Sequence, residues 1–111
     1  LGPVHILVGV PSEGCRLRRM SQVVEQFARR ILDAYGDAMD SAARQMAVEA
    51  LGSGEPEVAA TMAVELAPVT ANDVDDFLAL VTKSFTGVDA VVATRSAAAA
   101  RARLGLSPSH A

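Results

Sequence analysis

Cys15 is the residue whose surroundings most resemble reactive chemistry. It follows Ser12, Glu13 and Gly14 and precedes Arg16, with Arg18 beyond. A thiol near a helix start and beside guanidinium groups has a physical reason to ionise below its ordinary range. A nucleophile also needs a base, and Glu13 is the only neighbour in sequence that offers one. The plainer reading is a partly buried thiol. A second set comprises Ser12, Gly14, Cys15, Arg95 and Ser96. If the first three lie after one strand and the last two after another, they gather where strand ends and helix amides meet, which suits a small anion or phosphometabolite. The spacing of a phosphate cradle, G-x-G-x-x-G or G-K-[ST], is absent, so the plainer alternative makes Ser12 and Ser96 helix caps and leaves Arg95 solvated. His5 stands among apolar neighbours and His110 near the last residue. No His/Cys/Asp cluster has metal-ligand spacing, and no catalytic residue, metal or cofactor is expected.

Composition limits the classes open to the chain. Half of its 111 residues are hydrophobic and 21% are charged, which predicts a folded single domain over residues 1–106 followed by a polar tail, 107–111. Three Phe, one Tyr and no Trp leave the core to Ala, Val, Leu and Met. The net charge of −3 is unevenly spread. Residues 15–36 hold five arginines against Glu25 and Asp33, whereas residues 37–111 carry five basic and ten acidic groups. A nucleic-acid surface needs a basic excess over the domain, so no nucleic acid is expected. A single cysteine gives no disulfide framework. No apolar run is long enough to span a bilayer, and the first residues lack a signal-peptide pattern, so the expectation is a cytoplasmic chain without membrane contact.

The element expected to organise the rest is helical, from Cys15 to Leu51. Leu17, Met20, Val24, Phe27, Ile31 and Tyr35 recur every three or four residues, and the stripe continues through Met39 and Met46. Gly36-Asp37 interrupts it, and Asp37 or Asp40 can cap a second helix. Val4–Val10, reading VHILVGV between prolines, fits a buried strand. Gly52-Ser53-Gly54-Glu55-Pro56 reads as a loop. Val58–Ala67 alternates like a strand, yet Val58, Met62 and Leu66 also fall at i, i+4, i+8; its β-branched residues and Pro68 favour a strand. Thr70 with Asp73 forms a capping box ahead of a helix bearing Val74, Phe77, Leu78, Val81 and Phe85. After Gly87, VDAVVAT (88–94) reads as a third strand, and Ser96 as the cap of a last helix. The expected fold is therefore α/β: a small three-stranded open sheet with a long amphipathic helical segment, ordered β-α-α-β-α-β-α. The alternative is all-α.

Two stretches resemble known families. LGPVHILVGVPSEG, residues 1–14, is similar to the LG-x-x-HLLLGL-x-x-EG signature of Clp ATPase N-terminal repeats through Leu1, Gly2, His5, Leu7, Gly9, Glu13 and Gly14, while Pro11 departs from it. That resemblance implies an all-α adaptor- or substrate-binding domain. The same run followed by Arg16-Leu17-Arg18-Arg19-Met20 also resembles the strand and helix late in phosphotransferase-system IIA domains, whose phosphorylated histidine has no counterpart upstream here.

The functional expectation is a non-enzymatic domain that self-associates or docks a protein partner through the long helix. Its candidate interface is Leu17, Met20, Val24, Phe27, Ile31, Tyr35, Met39 and Met46, because methionine-bearing apolar stripes adapt to partners. The other readings are the anion-binding site and the Clp-like adaptor.

Overall fold

The computed structural model describes residues 11–106, with side chains described from Ser21 onward. The described residues form five α-helices: α1 (Pro11–Tyr35), α2 (Ser41–Gly52), α3 (Pro56–Leu66), α4 (Ala71–Ser84) and α5 (Gly87–Arg103), with a short 3₁₀ turn, Gly36–Ala38, after α1. No strand occurs among the described residues, so the expected three-stranded sheet and the α/β class are overturned. The strand expected over 4–10 and the tail 107–111 lie outside the described residues.

The two remaining strand assignments fail for different reasons. Residues 58–67 fall in α3 and its cap, the middle of the bundle, with α1, α2, α4 and α5 all packed against it. A helix covered on most sides needs no polar face, so its sequence loses the 3.6-residue signature. Ala59, Ala60, Ala63 and Val64 are fully buried. Pro56 opens α3, where its missing N–H costs nothing. The β-branched Thr61 is accommodated because its hydroxyl donates to the Glu57 carbonyl at 2.7 Å. Residues 88–94 begin α5, which continues without a break to Arg103. Its buried side is Ala93, Ser96, Ala97 and Ala100, and this spacing of small residues lets neighbouring helices approach closely. Packing by alanine thus outweighs the strand preference of Val88, Val91 and Val92.

Elsewhere local chemistry places the boundaries. Asp40 caps α2 through bonds from the Ala42 and Ala43 amides at 3.2 and 3.3 Å. The capping box at Thr70 and Asp73 is complete. Gly54 and Gly105, at φ +76° and +75°, follow α2 and α5 in the left-handed region. At each, two amides turn back to bond the last turn's carbonyls: Gly54 to Leu51 and Glu55 to Ala50, then Gly105 to Ala102 and Leu106 to Arg101.

The core is one cluster. Phe27 of α1 stacks on Phe77 of α4 with ring centroids 5.6 Å apart, and Phe85 meets Phe77 edge-on at 5.8 Å. Val24, Ile31, Val64 and Val74 are fully buried around them, each contributing about 1.5–3 kcal/mol of apolar burial. Phe27 meets Phe77 while Tyr35, two turns later, meets Asp73, so α1 and α4 run antiparallel.

Candidate functional site

The residues singled out for anion chemistry are not gathered at two strand ends: residues 88–94, ahead of Arg95 and Ser96, are part of α5, and the strand expected ahead of Ser12 lies outside the described residues. Ser12, Gly14 and Cys15 lie in the first turns of α1, and their side chains are outside the described residues. Arg95 is exposed on α5 beside a shallow depression shared with Ala90, Val91 and Thr94. Ser96 is not a helix cap; it is buried in mid-helix, and its hydroxyl donates to a Glu65 carboxylate oxygen at 2.7 Å. Among the described residues no His, Cys, Asp and Glu group is arranged to hold a metal ion, and no helix is long and apolar enough to cross a membrane.

The residues named for association divide. Val24, Phe27, Ile31 and Met39 are buried within the chain itself. Tyr35 is half-buried and engaged with Asp73. Met46, on α2, is 56% exposed. The side chains of Leu17 and Met20 lie outside the described residues.

One polar knot was visible in sequence only as separate pieces. The Asp73 carboxylate accepts from the Tyr35 hydroxyl at 2.6 Å, from Arg30 at 3.1 Å, and from both the amide and the hydroxyl of Thr70 at 3.0 Å. Arg30 also reaches Asp76 at 3.5 Å and lies 5.1 Å above the Phe27 ring. Burial on its own would raise the Asp73 carboxyl. The bonds from the Thr70 amide, Tyr35, Arg30 and the Thr70 hydroxyl outweigh burial and hold it at about 2, against 3.8 ordinarily. The hydrogen bond to Asp73, burial and the neighbouring negative charge raise the Tyr35 hydroxyl above 10.0. A carboxylate so placed is already saturated and does not take up a proton near neutrality. It is therefore a tie between α1 and α4, and a poor general base.

That tie has a pH signature. A folded-state pKa below the unfolded one contributes stability that is complete above pH 3.8 and lost as pH falls toward 2. Urea denaturation should therefore show roughly 2 kcal/mol of stability disappearing over that window. The Asp73→Asn variant should lose that component, and an unchanged acid profile would contradict this account of Asp73.

A concave surface with an apolar lining lies between α3 and α5, with a volume of about 310 Å³. Val58, Met62 and Leu66 line it from α3, and Val92 from α5. Thr61 and Ser96 are its most buried residues, and both hydroxyls are already bonded, to Glu57 and Glu65. Glu57, Glu65 and Asp89 stand around it, and among the described residues no lysine or arginine lines it. The groove therefore offers apolar contact inside a negative border. Leu66 is 48% and Val92 45% exposed, and Val88, one turn before Val92, is 76% exposed. The end of α5 holds the groove's shape: Arg103 donates to the carbonyls of Glu65 and, at 2.9 Å, Ala67, satisfying the last turn of α3.

Sequence reasoning missed this groove because both of its walls had been assigned to strands. The signal was present, since Val58, Met62 and Leu66, and likewise Val88, Val92 and Ser96, recur at i, i+4, i+8. No protein-family profile, curated protein or solved structure matches this chain.

Proposed function

We propose that the chain is a protein-docking helical domain whose groove between α3 and α5 receives the apolar face of a partner helix. The observation that carries this reading is the groove's lining: exposed Val58, Leu66 and Val92 around two hydroxyls that already have partners. A polar metabolite finds no free hydrogen-bonding group at the bottom of such a surface, whereas aliphatic side chains gain by leaving water there. The three carboxylates at the border favour a partner with basic residues beside its apolar stripe. Docking of an amphipathic helix into an apolar groove is a common recognition mode and requires no rearrangement of the receiving helices.

The test is fluorescence anisotropy with a labelled synthetic amphipathic helix of leucine and lysine. Binding should be saturable and micromolar. Val92→Asp should weaken it about tenfold or more, since docking would take the introduced carboxylate out of water against an apolar face, which costs more than the roughly 1.4 kcal/mol that a factor of ten requires. Equal binding by wild type and Val92→Asp, with matched circular dichroism, would remove the groove from consideration.

A further inference from the structure

We infer that the helix received by the groove is the first part of α1 from a second copy of the same chain. This rests on the docking reading above and names the occupant. On one side stands the groove, apolar and bordered by Glu57, Glu65 and Asp89, with no cation lining it among the described residues. On the other stands α1, a helix of 25 residues, longer than any other in the bundle. At about 1.5 Å per residue it extends about 20 Å from Pro11 before reaching Val24, the first of its described side chains to be buried. Ser21, Gln22 and Val23 are all exposed. The sequence of that leading stretch supplies the complement. Leu17 and Met20 continue the apolar spacing of Val24 toward the start of the helix, and Arg16, Arg18 and Arg19 accompany them against a single acidic residue, Glu13. The two later arginines of α1 already have partners, Arg29 with Glu25 and Arg30 with Asp73 and Asp76.

A basic, apolar-striped helix and an acidic, apolar-lined groove on one chain are complementary between copies. Because the two surfaces differ, the contact is heterologous: two copies can exchange helices reciprocally, or successive copies can add head to tail. Charge attraction in such a contact weakens with salt, because the bordering carboxylates are exposed or only half-buried.

The experiment is sedimentation equilibrium of the full chain with two sets of charge reversals. One variant carries Glu57→Lys and Asp89→Lys in the groove; the other carries Arg16→Glu, Arg18→Glu and Arg19→Glu in α1. Wild type should show mass rising with concentration and falling with added salt. Each variant alone should remain a monomer, with association weakened about tenfold or more. An equimolar mixture should regain association between unlike copies, since both cross pairs, the α1 of one variant with the groove of the other, have opposite charges while neither variant's own pair does. A chain carrying all five substitutions should associate again. A wild type that stays monomeric at high micromolar concentration, or variants that associate as wild type does, would overturn the proposal. If the leucine–lysine helix still binds wild type in that case, the groove remains a docking site and only its assignment to a second copy fails.

Discussion

Phe77→Ala should destabilise the domain by about 3–5 kcal/mol, the range for removing a fully buried aromatic side chain. Phe77 has no exposed surface and touches both of the chain's other phenylalanines, Phe27 at 5.6 Å and Phe85 at 5.8 Å. The substitution removes the ring's own burial and also leaves two neighbouring rings facing a void, each pairing accounting for about 0.5–1.5 kcal/mol beyond area. The site cannot collapse easily, because Val74 and Val81, one turn either side on α4, are themselves packed. For a domain of this size the loss corresponds to a melting temperature lower by roughly 15–30 °C, read by thermal denaturation followed by circular dichroism. Phe77→Leu should lose much less by keeping most of the volume. A Phe77→Ala variant that melts within a few degrees of wild type would mean that α1 and α4 do not meet as described.

Asp73→Ala should rank second, at about 2–4 kcal/mol. Three costs combine. The carboxylate's half of the capping box disappears, leaving the Thr70 amide without its partner. The Tyr35 hydroxyl loses a 2.6 Å bond, and Arg30 keeps only its longer contact with Asp76. Groups left without partners after such a deletion cost more than the bond was worth on balance. Tyr35→Phe removes one of these interactions and should cost about 1 kcal/mol. Because both changes break the same bond, the double variant should fall short of the sum by about 1 kcal/mol. Urea denaturation of the four proteins provides the comparison, and strict additivity would show that Tyr35 and Asp73 act independently.

The parts of this architecture that were legible in the sequence are those specified by local chemistry. Thr70 and Asp73 announced the start of α4, Asp37 or Asp40 the start of α2, where Asp40 is the cap, and the two glycines with Pro56 the turn between α2 and α3. The apolar spacing of Val24, Phe27 and Ile31 identified one face of α1, but not that the chain's own core, rather than a partner, covers it. What local chemistry could not supply was the neighbour. Tyr35 was counted in an apolar stripe and Asp73 in a cap, and only the antiparallel approach of α1 and α4 makes them, with Arg30, one hydrogen-bonded unit. Residues 58–67 read as a strand because burial on several sides leaves apolar residues at alternating as well as helical spacing, and residues 88–94 because valine's strand preference outweighs alanine's neutrality until the packing is known. Both errors fell on the walls of the groove. The surface that now supports a functional reading was therefore the least visible from sequence.

The central position of α3 has a mechanical consequence. Every other helix among the described residues leans on Pro56–Leu66, through α3 faces made largely of alanine. No pair of helices can detach as a subunit without stripping that segment of its cover. Local opening is thus confined to the periphery, and loss of the centre coincides with loss of the whole. A domain assembled in this way offers its partners a rigid seat, since one wall of the groove is the same helix that holds the bundle together.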